Sequence, residues 1–293
     1  MTEPAPLATA PDAADLVVLP AALRRPRPTD GPGVASLIRD LLVHWGLERQ
    51  VAERISVDAE VVGPDVSRLT VAATRVTLPS SAEPTSEPLP DEDLDEVPGV
   101  LGEFHLLADA VRWEKVELHG EFHQQRVGFT WLMRGDEVVG LRFDDSQPAG
   151  GRGTVRVETD LEPLVESIRL LAARELRPHG VLVRKLKARA TQFGERSYRV
   201  EAEAAIRWKV LPLSARLSLI AVIDDDLVLR LTDVQVSSVN PLAGIALAFA
   251  RRPLREGLSE PIPLREAFGP ELVDFTLRVE PRLLFEASFA ELR

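Results

Sequence analysis

Residues 198–223 read YRVEAEAAIRWKVLPLSARLSLIAVI, and this stretch decides the fold. Apolar or small side chains alternate with polar ones along both halves, which is the period of a half-buried β-strand. The apolar positions are Tyr198, Val200, Ala202, Ala204, Ile206, Trp208 and Val210, then Leu213, Ala215, Leu217, Leu219, Ala221 and Ile223. One face of these strands is therefore apolar and the other polar, as in an antiparallel sheet that is covered on one side.

The length of this stretch limits how it folds. An unbroken strand from Tyr198 to Ile223 would extend roughly 85 Å at the usual rise per residue, whereas a compact chain of this size would be only about 50 Å across. Because Pro212 cannot donate a ladder hydrogen bond, we predict that two strands meet near it, in an elongated molecule. Asp224–Asp226 then form a polar turn, and 227–236 return as another strand.

Composition indicates a globular protein with an aliphatic core. The 293 residues are 45% hydrophobic, 28% charged and only 5% aromatic, and there is no cysteine for disulfides or thiolate metal sites. The formal net charge is -11, to which Ser80–Pro98 contributes seven acidic residues and no basic one. This balance argues against a nucleic-acid partner.

The distribution of residue types predicts the domain organisation. Residues 1–32 are rich in Ala and Pro and are expected to form a flexible leader. Residues 80–98 hold four prolines besides their acids, which predicts a disordered surface loop through which a protein partner could bind. The remaining chain, 33–293, is expected to be a single domain, divisible into two halves, 33–150 and 154–293.

Each half begins with a helical pattern and continues with strands. Helical spacing predicts helices over 34–51 and 161–176, the second capped by Thr159 or Asp160 and ended by Pro178 and Gly180, with a short helix at 100–111. The predicted strands are 57–61, 69–73, 113–122, 127–133, 138–143 and 181–190, followed by the terminal pair 273–279 and 283–289.

No stretch of the chain has the pattern of a catalytic or metal site. Nucleophile elbows, phosphate loops and dinucleotide fingerprints are missing from the sequence. His119 and His123 share one face of a predicted strand, but about 13 Å of strand separates them, too far to chelate one metal. We therefore expect no enzyme activity, no metal and no cofactor.

Residues 240–250 are the least ordinary segment. Asn240 and Pro241 precede nine small or apolar residues, far short of the roughly 20 that span a bilayer. One interpretation is a buried helix. The other is a helix that lines a hydrophobic cavity or enters a membrane interface, where Arg251, Arg252 and Arg255 would meet lipid phosphates.

The last third of the chain resembles a known family. Its element order, DDLVLRLTDVQVSS at 225–238, then an Asn-Pro-Leu that opens a small-residue helix, then EPIPLREAFGPELVDFTLRVEP at 260–281, is similar to bacterial members of the tubular lipid-binding (TULIP) superfamily. These include the actinobacterial phospholipid-binding family of periplasmic proteins. The likeness covers 154–292 most clearly and 34–78 more weakly. It rests on element order, and the chain departs from the pattern in its acidic 80–98 insertion and in having no signal peptide or lipoprotein cysteine.

The resemblance implies an α+β fold in which a long, curved antiparallel sheet wraps around amphipathic helices and encloses an apolar tube. The implied ligand is a phospholipid or another acyl-chain molecule. On the inward positions, the expected lining is Leu164, Ile168, Leu171, Ile206, Trp208, Leu217, Leu219, Ile245, Phe249, Phe275 and Phe285. A basic stripe of Lys185, Lys187 and Arg189 shares one strand face and could meet anionic headgroups.

Two functions remain open from the sequence. The first is lipid binding for carriage, sensing or transfer, by a cytoplasmic protein with peripheral contact at the inner face of the membrane. The alternative is a non-enzymatic interaction or scaffold protein of the same fold, whose interior is a filled core.

Overall fold

The computed structural model describes residues 16–79, 94–143, 151–208, 211–238, 260–269, 271–279 and 282–290. These residues form mostly antiparallel strands with a few helices, which confirms the α+β class. The chain divides into two compact units. Unit 1 comprises 1–74, 79–107 and 122–153, and unit 2 comprises 75–78, 108–121 and 154–293. Strands β6 (Asp95–Trp113) and β7 (Val116–Arg134) contribute residues to both.

Unit 1 is a sheet covered by helices near its beginning. Its further strands are β1 (Leu16–Val18), β2 (Arg25–Pro26), β3 (Ser56–Val62), β4 (Asp65–Thr74) and β8 (Glu137–Phe143). The strand order is β3-β4-β6-β7-β8, with β1 and β2 both paired to β8. The hairpin predicted around Gly63 is confirmed as β3–β4, and the turn predicted at Gly135–Asp136 joins β7 to β8.

The core of unit 1 forms beneath helix α1 (Gly31–His44), which α2 (Arg49–Arg54) follows. Asp30 caps α1 by accepting a hydrogen bond from the Gly33 amide at 2.9 Å. The buried cluster contains Leu19, Leu37, Leu41, Val66, Leu101, Phe129, Trp131, Met133 and Val138. The helix predicted over 34–51 is confirmed as far as His44, where α1 ends before α2 begins at Arg49, and its apolar face supplies two members of this core.

A flexible leader was expected over residues 1–32, but from Leu16 onward the chain is part of the fold. The apolar run Leu16–Val18 pairs with β8, and the next residue, Leu19, is fully buried. An apolar segment of this kind gains more from burial at a sheet than it loses in chain entropy. Residues 1–15 lie outside the described part of the chain.

The predicted helix at 100–111 is wrong, because these residues belong to β6. The exposed positions along this strand, Val100, Glu103, Leu106, Asp109 and Arg112, recur every third residue and so imitate a helical period. Gly102 allows β6 to lie close to β4. A Cβ at this position would be 2.5 Å from the Ser67 carbonyl oxygen on β4, so the two backbones approach closely. Pairing with neighbouring strands therefore overrides the local pattern.

The expected acidic loop is also shorter than predicted at its C-terminal end. Residues 80–93 lie outside the described part, but β6 already begins at Asp95. Val97 packs against the unit 1 core, and Glu96 forms an ion pair with Arg142 at 2.8 Å. The strands predicted at 113–122 and 127–133 are in fact one strand, β7, and Arg126 with φ 52° lies where the break was expected.

Unit 2 contains two groups of strands. The first runs in the order β15-β16-β9-β7-β6, where β9 is Arg152–Thr159, β15 is Leu272–Arg278 and β16 is Leu283–Ala290. The short β5 (Thr77–Leu78) pairs with β6 in parallel. The second group is an antiparallel meander of β10 (Val181–Gly194), β11 (Ser197–Trp208), β12 (Leu211–Ile223), β13 (Val228–Ser237) and β14 (Ile262–Pro263).

The meander confirms the prediction made from residues 198–223. Strands β11 and β12 meet at the pairs Arg207 with Pro212 and Trp208 with Leu211. At the next turn, one Asp224 carboxylate oxygen accepts hydrogen bonds from the Asp226 and Val228 amides, at 3.1 and 2.9 Å. A third prediction also holds, because the terminal pair of strands is β15–β16.

The apolar face of the meander packs into the core of unit 2. This cluster contains Tyr198, Leu219, Ala221, Ile223, Leu227, Leu264, Leu272, Phe275, Val279 and Ala287, of which Leu264 begins the short helix α4 (Leu264–Phe268). Tyr198 is 2% exposed, and its hydroxyl donates to the Leu277 carbonyl at 2.5 Å. Burial raises the pKa of Tyr198.

Replacing Gly31 by alanine should destabilise the protein. Helix propensity alone favours alanine by about 1 kcal/mol, but the new Cβ would lie 2.0 Å from the Ala59 carbonyl oxygen. We expect the overlap to dominate and to lower the free energy of unfolding by about 1–3 kcal/mol. Urea denaturation measures this change, and a stabilised G31A variant would contradict the close approach of α1 to β3.

Tyr198→Phe should lower the free energy of unfolding by about 0.5–1.5 kcal/mol, because the hydrogen bond from the phenol to the Leu277 carbonyl is lost. Since the folded-state pKa of Tyr198 is raised, the wild type should also lose stability as the pH rises above about 10, where the unfolded phenol ionises first. The variant should lack this loss. Tyr198 is the single tyrosine, so phenolate absorbance reports its titration directly, and a normal midpoint would contradict the buried hydroxyl.

Candidate functional site

The candidate site is built on helix α3 (Leu161–Leu176), which lies beside β10 in unit 2. Asp160 occupies the predicted N-cap position but makes no capping hydrogen bond through its side chain. The hydroxyl of Thr159 donates instead to the Glu117 carbonyl at 2.9 Å. After α3 a 3₁₀ turn ends at Gly180 with φ 74°, as predicted, and β10 begins at the next residue.

Two side chains of α3 are buried, Val165 and Ser167. The Ser167 hydroxyl accepts a hydrogen bond from the backbone amide of Lys115, which lies in the β6–β7 turn. On the β10 side, Arg169 donates to the Val183 carbonyl at 3.3 Å. Polar contacts on two sides therefore help to attach the helix to its neighbours, alongside the buried side chain of Val165.

The apolar stripe of α3, formed by Leu164, Ile168 and Leu171, is only partly covered. Leu164 and Leu171 are half-buried, and Ile168 is 47% exposed. Among the described residues, neither hydrophobic cluster includes a residue of α3. Because a helix turns about 100° per residue, the buried positions 165 and 167 lie roughly 70–90° to either side of the stripe. The stripe thus runs between two anchored flanks.

The other predicted lining residues have different surroundings. Leu217, Leu219, Phe275 and Phe285 come together in the core of unit 2. The rings of Phe275 and Phe285 meet edge to face, with centroids 5.1 Å apart, and Phe268 contacts both rings. These four predicted residues therefore pack against other side chains of the core. Ile206, which was also predicted to line the tube, is half-buried on β11.

Several predicted site residues fall outside the described part. These are the side chain of Trp208, then Ile245 and Phe249 of the 240–250 segment, and the predicted headgroup residues Arg251, Arg252 and Arg255. Their roles stay predictions.

A groove with excess positive charge runs between α3 and β10. It has a volume of about 970 Å³ and is lined by six basic residues, Lys115, Arg169, Arg184, Lys185, Lys187 and Arg189, against two acidic ones, Glu162 and Glu166. Sequence reasoning found the stripe 185, 187 and 189. It missed Lys115, because that residue comes from a turn far away in sequence. It also missed Arg169, because an arginine three residues after a glutamate is an ordinary pair on a helix surface and does not by itself indicate a site.

Ion pairs neutralise only part of this charge. Glu166 contacts Arg169 at 2.7 Å and Lys115 at 3.3 Å, and Lys185 contacts Glu203 on β11 at 2.9 Å. The hydrogen bonds from Arg169 and then Lys115 lower the pKa of Glu166 to about 2, and the bond from Lys185 lowers the pKa of Glu203. Arg184, Lys187 and Arg189 form no ion pair with another described residue.

Two further cavities adjoin the groove. One of about 770 Å³ lies on β10–β13 and is lined mainly by the charged and hydroxyl side chains of the meander. The other, about 360 Å³, is lined by Arg189, Thr191, Phe193, Arg199 and Glu201. Arg189 lines all three spaces, so they adjoin one another at this residue.

The histidines make separate carboxylate contacts. His119 lies 3.0 Å from Asp109, and His123 lies 3.0 Å from Glu103. The ring of His105 meets that of His123 at 5.6 Å. Among the residues described by the structure, no group of three or more His, Asp or Glu side chains is arranged to hold a metal ion.

Comparison with known proteins adds no relative: no protein-family model, curated protein or solved structure matches this chain. Within the described residues, no helix has both the length and the apolar character needed to cross a membrane.

The titration of Glu166 tests the charge arrangement at the groove. Its carboxyl pKa, followed by carbon NMR, should be about 2 in the wild type. Because this value is below the ordinary one of about 4.3, its contribution to stability is complete above that pH and is lost as the pH falls toward 2. Arg169→Met should raise the pKa of Glu166 more than Lys115→Met, since the bond from Arg169 is the largest cause. Equal shifts would contradict this ranking.

Proposed function

We propose that this protein binds a lipid or another long apolar ligand along the stripe of α3. The observation that supports this most is the accessibility of Leu164, Ile168 and Leu171 on a helix whose flanks are anchored. In a filled protein interior the apolar stripe of an amphipathic helix is the part that packs into the core. Here two polar residues, Lys115 and Arg169, hold the helix, and the stripe stays available to a ligand.

The energetics favour an acyl chain as the occupant. Burying a Leu or Ile side chain completely is worth about 1.5–3 kcal/mol relative to leaving it exposed, and each ligand methylene contributes about 0.8 kcal/mol. Ile168 is about half exposed and Leu164 and Leu171 are partly exposed, so the row still has about 1–3 kcal/mol to gain from a flexible hydrocarbon. The stripe is about 10 Å long, from the helical rise between Leu164 and Leu171, so it suits an extended chain segment.

The resemblance to tubular lipid-binding proteins supports the same proposal. In that arrangement a curved sheet would wrap around α3, and the ligand would lie between helix and sheet. Phe275 and Phe285 pack edge to face in the core of unit 2, so we place the proposed site on the α3 side of that unit. Since ligands of this class reside in membranes, we include peripheral contact with a membrane surface in the proposal.

A specific observation favours the second candidate, an interaction or scaffold protein. The apolar face of the meander is filled by the core cluster around Tyr198 and Phe275, as a protein without an apolar ligand requires. In that case the α3 stripe would be a protein contact surface.

Native mass spectrometry of the purified protein, with organic extraction of the same sample, separates the two candidates. Lipid binding predicts discrete adducts that correspond to acyl species in the extract, and uptake of an added fluorescent fatty acid. A ligand-free mass together with no probe uptake would overturn the proposal and favour the scaffold function.

Ile168→Asp should weaken binding of the fluorescent fatty acid by about tenfold or more, because a carboxylate in the stripe must be desolvated by the chain. Val62→Asp is the matched control, since Val62 is a still more exposed aliphatic residue, on β3 of unit 1. It should leave affinity unchanged. Equal affinities of the two variants for the fatty acid would show that α3 is not part of the binding site. Far-ultraviolet circular dichroism confirms that both variants fold.

A further inference from the structure

The cavity of about 360 Å³ lies near the turn that joins β10 to β11. Its lining combines one aromatic ring, one hydroxyl and three charged groups, from Arg189, Thr191, Phe193, Arg199 and Glu201. Of the three cavities described above, this is the one that contains an aromatic ring, and its volume is within the range of small-molecule sites. Charge and aromatic surface therefore meet in one small cavity.

The register of the hairpin fixes the spacing of these groups. Arg189 lies opposite Glu201, and Thr191 lies opposite Arg199. Because neighbouring strands are about 4.8 Å apart and alternate residues about 6.6 Å apart, the four residues form a small rectangle on one face of the sheet. The two arginines occupy one diagonal of this rectangle. Phe193 follows on β10, nearer the turn, and lines the end of the cavity away from Glu201.

The charged groups of the cavity are available to a ligand. Arg189, Arg199 and Glu201 are exposed, and none of them forms an ion pair or a side-chain hydrogen bond with another described residue. Even Arg189 and Glu201, which lie opposite each other, form no ion pair. A ligand can therefore contact all three groups without breaking an existing ion pair, which lowers the cost of binding.

Phe193 adds apolar surface beside these charges. Its side chain is 58% exposed, and within the described part of the chain its ring contacts no other ring. Phe268 differs, because its ring packs against those of Phe275 and Phe285 although it is 47% exposed. A ligand ring that stacks on Phe193 would bury this surface, with the ring centroids about 4.5–7 Å apart.

These groups together match one chemical class of ligand. We propose that the cavity binds a free aromatic α-amino acid, such as phenylalanine. The ring of the ligand packs on Phe193, and its ammonium group donates to Glu201. Its carboxylate accepts hydrogen bonds from Arg189, Arg199 and the hydroxyl of Thr191. This inference goes beyond the proposed function, because it concerns a different ligand and uses no residue of α3.

Glu201 determines which ligands fit. An aromatic anion without an ammonium group would place its charge near the Glu201 carboxylate, and an aromatic amine without a carboxylate would meet two arginines. A ligand that carries both charges satisfies each charged group of the cavity. An aliphatic amino acid would leave the ring of Phe193 exposed, so the aromatic side chain is part of the specificity.

The test uses the full chain and 4-fluoro-L-phenylalanine, whose fluorine signal broadens when the ligand binds. We expect saturable binding with a dissociation constant of about 1 mM or tighter, as a ligand of this size allows. Unlabelled analogues that each lack one group then compete for the site: 3-phenylpropionate lacks the ammonium group, 2-phenylethylamine the carboxylate and alanine the ring. Each should bind about five- to tenfold more weakly than phenylalanine.

Glu201→Gln is the most informative variant. It should weaken phenylalanine binding by about five- to tenfold, because the charge-assisted hydrogen bond to the ammonium group is lost. It should bind 3-phenylpropionate at least as tightly as the wild type does, because the repelling carboxylate is gone. Phe193→Ser should weaken the binding of both ligands. Glu53→Gln, at an exposed glutamate of α2 in unit 1, is the matched control and should change neither affinity.

Three results would overturn the proposal: no saturable binding by the wild type, equal affinities of the wild type for phenylalanine and 3-phenylpropionate, or an unchanged phenylalanine affinity in Glu201→Gln. Unaltered thermal midpoints show that the variants fold. Fatty acid uptake is measured separately, so the amino acid site and the proposed lipid site succeed or fail independently.

Discussion

Burial of one face of the β11–β12 hairpin is the constraint on which unit 2 depends. Strict alternation places Tyr198, Leu219 and Ala221 on the same side, where they meet β15 and β16 in one cluster. Because a slip of one residue would move every apolar side chain to the polar face, the register is strongly specified. The hydroxyl of Tyr198 makes this packing more specific, because its hydrogen bond to the Leu277 carbonyl requires a particular distance and angle.

This constraint also determines where the polar groups of the meander lie. With the apolar side occupied, Lys187, Glu203 and Arg216 must share the opposite face, where they line a space of about 770 Å³ over the sheet. Cationic and apolar surfaces are then separated: charge follows β10, and the accessible aliphatic row follows α3. Two surfaces of different chemistry arise from one alternating sequence and one amphipathic helix.

Sequence patterns correctly predicted the helices and strands in which the spacing of apolar residues is regular. The meander, α1 and α3 were recovered because alternation or helical spacing continues over many residues. The prediction failed at β6, where exposed positions recur at every third residue, and at Leu16–Leu19, where a short apolar run is buried by a strand distant in sequence. At the site, Lys185, Lys187 and Arg189 were visible as a stripe. Lys115 was not, because only the folded chain brings the β6–β7 turn to α3.

The polar attachment of α3 has a thermodynamic consequence for any molecule that meets its apolar row. Hydrogen bonds from Lys115 to Ser167 and from Arg169 to Val183 fix the rotation of the helix about its own axis. Turning the row toward the core would break both contacts, so the orientation of the row is fixed relative to the neighbours of the helix. Under the proposed lipid binding, ordering of the protein would then cost little free energy.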